Sequence, residues 1–248
     1  MIQILIPTYN ESESIKQLLS EITKLDLAVK ILVIDDNSPD GTADLVQSLA
    51  YKNVDILRRK EKDGLGNAYK AGIKYVLPDP EITHIVSMDA DGSHQVKDLT
   101  KLIAKAIENP DLDLILGSRW IPGGSIENWS KHRKWLSKLG TRYARWALKL
   151  SINDATGGFR IYSKRILEMI DLEKITSNGY CYQIEMAFAI DRINNSKKIV
   201  EVPIQFIERE AGKSKMSGKI VMEAMAQMTR LGLALRLNPS ADKLHYVK

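Results

Sequence analysis

Short apolar runs alternate with amphipathic segments through the first half of the chain. Buried strands are predicted at residues 2–6, 30–35, 53–58, 84–89 and 112–117. Apolar residues that recur every three or four positions predict helices at residues 12–25, 41–50, 65–77 and 96–108. Because strands that alternate with helices pair in parallel, this pattern indicates an α/β fold, with a mainly parallel central sheet and helices on both faces.

The second half carries fewer elements. Residues 133–150 repeat apolar and aromatic side chains at helical spacing, with lysines and arginines between them, which predicts a basic amphipathic helix. A strand is expected over 200–206 and a helix over 219–237. We expect one large domain over residues 1–218, and a C-terminal helix and tail over 219–248 packed on or beside it. No apolar run reaches the ~20 residues that a transmembrane helix needs, so none is predicted.

Two carboxylates follow the strand predicted at 84–89. Asp89 and Asp91 are separated by one residue, and Gly92 comes next. Side chains two apart on a strand share a face, so both carboxylates are expected to aim at one point. Hard oxygen ligands of this kind suit Mg2+ or Mn2+, which completes its shell with substrate phosphates. The alternative for an isolated Asp-x-Asp is a solvated turn.

Polar clusters also follow other predicted strands, at residues 7–11, 35–36 and 117–119. Ligands of open α/β sheets bind at the carboxyl ends of the strands, so this convergence favours a binding site over a solvated turn. Residues 7–11 are alternatively a simple helix start with Asn10 as N-cap. Asp40 is expected to be structural, within a turn. A glycine fingerprint for dinucleotides and a Walker A loop are both absent, which argues against dehydrogenases and P-loop enzymes.

Charge is unevenly distributed along the chain. The net charge is +5, yet residues 119–150 hold eight Lys/Arg against one acid, together with all four tryptophans. Such a patch is typical of a surface that contacts a lipid interface, and its alternative is a core-facing helix with a solvated basic side. The single cysteine, Cys181, excludes an internal disulfide and fits a reducing compartment.

Four segments carry a resemblance to a known family. Residues 6–11, 34–42, 88–94 and 117–120 resemble the inverting family 2 glycosyltransferases with the GT-A fold. More narrowly, the chain is similar to dolichyl- or polyprenyl-phosphate mannose synthases, and most to the catalytic domains of the actinobacterial polyprenol enzymes. Asn37 stands where glycine is common in the family. Ser93 stands where some relatives carry a glutamine that helps bind the metal.

The resemblance implies transfer of mannose from GDP-mannose to a polyprenyl phosphate, with Mg2+ or Mn2+ as cofactor. It implies that the nucleotide sugar is bound by Pro7, Tyr9, Glu11, Ile34, Asp36, Asp89, Ala90, Asp91, Arg119, Gln183, Arg209 and Lys215. It assigns the acceptor phosphate to Arg119, Arg133 and Ser137, and the metal to Asp89, Asp91 and Ser93. Asp91 and Arg119 are expected to be the catalytic pair. Glu185 is a second candidate for sugar contacts, or alternatively a helix acid.

The chemistry implied by the family fits the basic patch. An acceptor phosphate is mostly dianionic at neutral pH, so it is already a nucleophile and needs cations rather than a general base.

The chain opens on a strand without a signal peptide, so we expect a cytoplasmic protein, peripheral on the cytoplasmic face of the cell membrane. A small membrane-protein subunit is a further candidate partner.

Two alternatives stay open at this point. The first is transfer of glucose or another sugar from UDP or a related nucleotide to the same lipid phosphate. The second is a nucleic-acid-binding module that uses the basic patch. That second alternative lacks a known nucleic-acid-binding motif and leaves the strand-end carboxylates without a role, so no nucleic-acid partner is expected.

Overall fold

A computed structural model describes residues 1–25, 27–194, 197–208, 225–233 and 245–248. The strands are β1 (Ile2–Thr8), β2 (Val29–Asp35), β3 (Val54–Arg58), β4 (His84–Ser87), β5 (Leu114–Ser118), β6 (Ser125–Glu127), β7 (Arg160–Ser163), β8 (Ile199–Pro203) and β9 (Gln205–Ile207). The helices are α1 (Ser12–Thr23), α2 (Thr42–Ser48), α3 (Leu65–Val76), α4 (Val96–Glu108), α5 (Lys131–Leu148), α6 (Lys164–Met169) and α7 (Tyr180–Asn194). Residues 225–233 form a further helix.

The central sheet has seven strands in the order β3-β2-β1-β4-β7-β5-β8. Every neighbouring pair is parallel except those of β7, which runs antiparallel to both β4 and β5. The predicted α/β class with a mainly parallel sheet is therefore confirmed. The insertion of β7 was not predicted, because four residues buried on both faces give no alternating pattern.

Helices cover both faces of the sheet and enclose two hydrophobic cores. Ile2, Ile4 and Ile6 point to the core beneath α1 and α4, whereas Leu5 points to the core beneath α3, α5 and α7. This division follows from the period of two along β1. The helices that alternate with the strands in the sequence thus cover both faces of the sheet, as predicted.

Strand β4 ends two residues earlier than predicted. It stops at Ser87 because the Asp89 N–H donates to His94 Nδ1 at 3.0 Å and so leaves the ladder. Asp89 and Asp91 therefore lie in the loop beyond the strand. The expectation that strand alternation aligns them is wrong. Both lie in the loop that turns at Gly92, where φ is 75°, and they are close enough for the charge of Asp91 to act on Asp89.

The strand predicted over 200–206 is divided into β8 and β9. Pro203 has no N–H to continue the ladder, and the Ile204 N–H donates to Ser118 O at 3.1 Å. Strand β9 then pairs in parallel with β6 in a separate two-stranded sheet. This small sheet stands beyond the end of β5, where α5 begins.

The C-terminal helix, residues 225–233, packs on α5. The hydroxyls of Tyr143 and Thr229 lie 2.6 Å apart, and Met228 is buried in the core. Gly232 approaches Ala147 so closely that an added Cβ would lie 2.6 Å from its carbonyl oxygen. The rest of the helix predicted over 219–237 lies outside the described residues. In the described parts of the chain, no helix combines the length and the apolar character needed to cross a bilayer.

Candidate active site

The carboxyl ends of β1 and β4 form a crevice in the sheet. After β1 the chain moves to β2 and β3 on one side, and it returns to place β4 on the other side of β1. Such a reversal of strand order opens a ligand-binding crevice at the strand ends. Tyr9 follows β1 and Asp89 follows β4, so both lie at this crevice.

The turn after β1 is held by the loop that precedes α2. The Ser12 N–H donates to Asp40 Oδ2 at 3.1 Å, and the Glu11 N–H donates to Thr42 Oγ1 at 3.1 Å. Asp40 is therefore structural, as expected. Asn10 has a φ of 59° and is not the N-cap of α1, so the alternative reading of this turn is wrong in that detail.

Asp35 and Asp36 have separate tasks at the end of β2. Asp35 accepts hydrogen bonds from the Thr8 hydroxyl at 3.0 Å and from the Ser38 hydroxyl at 2.6 Å, which fixes the two loops together. Asp36 instead receives Arg59 Nη1 at 2.6 Å. Burial raises the pKa of Asp36, and the Arg59 charge opposes that shift. Asp35 thus joins the two loops, whereas Asp36 pairs with Arg59.

A lysine covers the aromatic ring at the end of β1. Lys62 Nζ lies 3.8 Å from the centroid of the Tyr9 ring. Arg59 also pairs with Asp63, so the segment after β3 brings several charges to the crevice. A nucleobase that stacked on Tyr9 would meet these groups.

Two predicted nucleotide contacts lie in the hydrophobic core. Ile34 is fully buried, and its side chain packs against Gly72 of α3, where an added Cβ would lie 2.4 Å from Ile34 Cδ1. Ala90 is buried as well. Ile34 belongs to the core beneath α3 and Ala90 to the core beneath α1 and α4, while Pro7 is only partly buried beside Tyr9.

Asp89 is held from both sides. The Tyr69 hydroxyl donates to Asp89 Oδ1 at 3.4 Å, and His94 Nε2 lies 3.7 Å from Asp89 Oδ2. His94 itself stacks on Phe159, with ring centroids 4.7 Å apart. Burial raises the pKa of Asp89, His94 opposes the shift, and the charge of Asp91 raises it further. Burial also raises the pKa of Tyr69 well above 10.0, so its hydroxyl is a donor at neutral pH.

Asp91 is oriented by Ser93. The Ser93 N–H and hydroxyl both donate to Asp91 Oδ1, at 3.1 and 2.6 Å. Within the described ranges, no cluster of three His, Cys, Asp or Glu side chains is arranged to hold a metal. Two carboxylates on one rim nevertheless fit Mg2+ or Mn2+, since such ions take one or two carboxylates and fill the remaining positions with water and substrate phosphate. Ser93 contributes to this set through Asp91.

Arg119 is fixed by a buried carboxylate. Its Nε and Nη2 donate to the two oxygens of Asp154 at 2.7 Å each, and Nη2 also donates to the Thr156 hydroxyl at 2.9 Å. Burial would raise the pKa of Asp154, but the Arg119 guanidinium holds it below its usual value. Arg119 therefore has one orientation before any substrate binds.

Gln183 brings an amide to the floor of the crevice. It is 2% exposed, and among the described residues its Nε2 has no hydrogen-bond partner. This nitrogen and Asp89 Oδ2 both lie next to Gly158, at 3.7 and 3.6 Å from the place of a Cβ there. Glu185, by contrast, accepts from the Ser177 N–H at 2.8 Å and from the Tyr246 hydroxyl at 3.2 Å. These contacts favour a structural role for Glu185.

The residues predicted for the acceptor phosphate meet around Trp129. The guanidinium carbon of Arg133 lies 4.1 Å from the Trp129 ring centroid, and that of Arg119 lies 5.4 Å from the same centroid. Ser137 follows Arg133 by one helical turn and is buried. Arg133 also forms an ion pair with Glu208. A cationic cradle thus lies between α5, β5 and β9.

The apolar side chains of α5 divide between two faces. Ala147 is buried, and Tyr143 packs on the core. Trp135, Leu139 and Trp146 are 60%, 45% and 64% exposed. Exposed lysines and arginines lie beside them, at Lys131, Lys138, Arg142, Arg145 and Lys149. The single apolar face expected from the sequence is therefore wrong, and α5 presents aromatic and basic side chains together to solvent.

Several site residues were missed by sequence reasoning. Arg59 and Lys62 follow β3, so the same strand-end argument could have found them. His94 lies within residues 88–94, so the family motif could have found it. Asp154 and Glu208 had no strand-end signal, because their partners are set by tertiary packing. The predicted phosphate contacts Arg209 and Lys215 lie outside the described residues.

Comparison with known proteins shows consistent similarities. Residues 3–170 match the family described as Glycosyl transferase family 2. An undecaprenyl-phosphate mannosyltransferase from Micrococcus luteus is 46% identical over 234 residues, which cover 94% of this chain and 94% of the relative. A polyprenol monophosphomannose synthase from Mycolicibacterium smegmatis is 42% identical over 238 residues, which cover 95% of this chain and 88% of the relative.

A solved structure shares the fold. Glucosyl-3-phosphoglycerate synthase from Mycobacterium tuberculosis, in complex with Mn2+, UDP and phosphoglyceric acid, superimposes with a TM-score of 0.69. The match covers 95% of this chain and 78% of that chain, at 16% sequence identity. At this level of identity, the likeness concerns the fold alone.

Proposed function

The chain belongs to glycosyl transferase family 2, and from this premise we propose that it transfers mannose from GDP-mannose to a polyprenyl phosphate. The fold is GT-A-like, and the relatives similar over most of the chain are mannosyltransferases that act on polyprenyl phosphates. One structural observation carries the proposal. The strand-end carboxylates Asp89 and Asp91 and the cationic cradle of Arg119 and Arg133 lie at the same carboxyl edge of the sheet.

On the donor side, Tyr9 and Asp36 would receive the guanine base. Tyr9 offers an aromatic face, and the Asp36 carboxylate can accept hydrogen bonds from the base edge. Glu11 lies beside them as a further acceptor. Gln183 Nε2, unpartnered in the described parts of the chain, would donate to a mannose hydroxyl near Gly158. We assign Arg209 and Lys215 to the phosphates by resemblance only.

The chemical step breaks the bond between the anomeric carbon and the diphosphate. A phosphate oxygen of the acceptor attacks that carbon, and the bonding electrons leave with GDP. The configuration at the anomeric carbon is thereby inverted. Asp91, together with Asp89 and Ser93, would hold Mg2+ or Mn2+, which supplies positive charge for the diphosphate. Arg119 adds a fixed cation whose orientation is set by Asp154 before the reaction begins, so it needs no reorganisation as charge develops.

On the acceptor side, the cradle binds an anion that is already ionised. Arg119, Arg133 and Ser137 would orient the lipid phosphate, and no residue has to remove a proton from it. The exposed face of α5 would lie on the membrane surface, where Trp135, Leu139 and Trp146 meet the lipid interface and the nearby lysines meet anionic headgroups. The site would thus open toward a lipid-bound acceptor on the cytoplasmic face.

A donor assay tests this proposal. The purified chain is incubated with a short polyprenyl phosphate, Mg2+, and either GDP-mannose or UDP-glucose, and the glycolipid product is quantified. We expect product from GDP-mannose. Asp91→Ala should lower kcat by about 100-fold or more, because the leaving group loses its charge stabilisation. Asp55→Ala, at an exposed carboxylate on the edge strand β3, is the matched control and should retain wild-type turnover.

Three results would contradict the proposal. Consumption of UDP-glucose in preference to GDP-mannose would assign the other donor. Full turnover by Asp91→Ala would refute the metal-holding role. Salt-sensitive DNA binding without any sugar transfer would favour the nucleic-acid alternative.

A further inference from the structure

Arg133 is paired with a carboxylate at the centre of the cradle. Its Nη1 contacts Glu208 Oε1, and the two side chains are 22% and 29% exposed. Glu208 follows the last residue of β9, and its N–H donates to Glu127 O at 3.3 Å across the small sheet. The backbone of Glu208 is therefore anchored beside α5, so the pair is a built feature of the fold.

The same cradle has unused hydrogen-bond donors. Among the described residues, Arg133 Nε and the indole Nε1 atoms of Trp129 and Trp120 are buried and have no hydrogen-bond partner. Buried donors of this kind are costly unless a ligand satisfies them. They indicate a binding site for an oxygen-rich anion next to Arg133. The anion would bind either together with Glu208 or in place of Glu208.

The two arginines of the cradle differ in how firmly their partners are held. The Asp154 carboxylate on Arg119 has no exposed surface, and losing either member of that pair would leave a buried charge uncompensated. Glu208 is partly exposed, so its carboxylate can turn to water at little cost. A carboxylate and a phosphate fit the same fork of an arginine, so both compete for Arg133.

We propose that Glu208 is a specificity-determining residue of the acceptor site, because its carboxylate holds the place of a phosphate on Arg133 and must be displaced by the acceptor. This inference rests on the proposed function of the cradle. When inorganic phosphate displaces Glu208, one oxygen anion replaces another on Arg133, so the binding free energy gained is small. A lipid phosphate also gains the burial of its prenyl chain, so it alone displaces Glu208 effectively.

Binding of inorganic phosphate tests the inference without donor or lipid. The full chain is titrated with phosphate by calorimetry, as the wild type, as Glu208→Gln and as Glu127→Gln. Glu127 is an exposed acid on the neighbouring strand, so its variant loses the same charge without touching Arg133. We expect Glu208→Gln to bind phosphate about fivefold or more tightly than the wild type, and Glu127→Gln to change it by less than about twofold.

A second variant locates the effect. Adding Arg133→Gln to Glu208→Gln should abolish the gain in phosphate affinity. In the transfer assay, inorganic phosphate should inhibit Glu208→Gln at a correspondingly lower concentration than the wild type.

Other outcomes overturn the inference. Phosphate affinity that is unchanged or lower in Glu208→Gln would mean that Glu208 merely positions Arg133. An equal gain in Glu127→Gln would mean that net charge, and not the pair, controls anion binding. Failure of the wild type to transfer sugar would refute the proposed function separately, because the phosphate titration does not depend on turnover.

Discussion

Arg119 owes its position to Asp154, a side chain 35 positions later in the chain. Besides the two side-chain contacts, Asp154 Oδ2 accepts the Arg119 N–H at 2.9 Å. Asp154 is in turn held by Glu201, which accepts the Asp154 N–H at 2.9 Å and the Asn153 N–H at 2.8 Å. This relay from β8 through the loop before β7 fixes the cation at the end of β5.

Replacing Asp154 should therefore affect both stability and catalysis. Asp154→Asn leaves a buried guanidinium without its counter-charge, so we expect the free energy of unfolding to fall by about 3 kcal/mol. Urea denaturation measures this change. Asp44→Asn is the matched control, because Asp44 pairs with Arg58 on the surface, with side chains 79% and 49% exposed. Its cost should be under about 1 kcal/mol, and equal losses in the two variants would contradict the argument.

The pH dependence of that loss has a defined sign. Asp154 has a pKa below 3.8 in the folded state, so folding favours its ionised form. Its contribution is fully present above the unfolded pKa and is lost as the pH falls through the folded pKa. The stability difference between wild type and Asp154→Asn should thus stay constant from neutral pH downward and shrink only below about pH 3.8. If the stability difference disappeared near pH 6, a group other than Asp154 would be responsible for it.

The candidate site was only partly predictable at this scale. The spacing of Asp89, Asp91 and Arg119 along the chain marked them, since each stands at a predicted strand end. The residue pattern alone left the choice between Asp35 and Asp36 open, and only the family resemblance selected Asp36. That choice depends on Thr8 and Ser38 reaching Asp35, and on Arg59 reaching Asp36.

At the scale of elements, α5 serves two environments. Its buried side carries Ser137, Thr141 and Ala144, in line with Arg133 at the cradle. Its exposed side carries the tryptophans and most of the basic residues. The helix therefore connects the acceptor site to the surface that we assign to the membrane.

Removing one apolar side chain from this surface should weaken lipid binding. We expect Leu139→Ser to lower the partition coefficient onto anionic vesicles by about fivefold, because the variant loses about 1 kcal/mol of favourable apolar burial in the lipid. Sedimentation with vesicles measures it. Ile107→Ser is the matched control, since Ile107 is 67% exposed on α4, across the sheet from α5. Equal vesicle binding by the two variants would contradict the assignment of α5 to the membrane interface.

Two glycines on neighbouring helices give opposite predictions. Gly140 lies within α5 and has open space where a Cβ would stand, so Gly140→Ala should stabilise the protein by roughly 0.5–1 kcal/mol. Gly232 faces the Ala147 backbone, so Gly232→Ala should destabilise it by about 1–3 kcal/mol as the helices separate. Thermal unfolding compares them. A change of the same sign in both would contradict the close packing of residues 225–233 on α5.

At the scale of the whole molecule, the last residues of the chain close the core next to α7. Tyr246 is buried with its ring edge against Phe188, at a centroid distance of 6.0 Å, and its hydroxyl donates to Glu185. Val247 forms a bridge to Ile170. The C-terminal residues thus support the helix that carries Gln183.

Truncation of Tyr246 should destabilise the whole fold. Tyr246→Ala leaves a cavity and should cost about 3–5 kcal/mol, whereas Tyr246→Phe keeps the ring, loses the hydrogen bond to Glu185 and should cost about 1 kcal/mol. His245→Ala is the control, because His245 is exposed. Urea denaturation ranks the three variants. If Tyr246→Ala lost no more stability than His245→Ala, the C-terminal contacts would have no structural role.

The sequence by itself determined the α/β alternation, the polar groups at the ends of the parallel strands and the family. These features are written in residues that are adjacent or a few positions apart, where the periods of strands and helices act. Only the tertiary structure decided the insertion of β7, the early end of β4 at Ser87, and the division of the α5 side chains between core and solvent. It also decided which carboxylates pair with Arg59, Arg119 and Arg133. The end of β4 depends on the contact of Asp89 with His94, which follows no strand or helix period. The other outcomes depend on partners that are distant in the chain, and local periodicity carries no information about which distant groups meet.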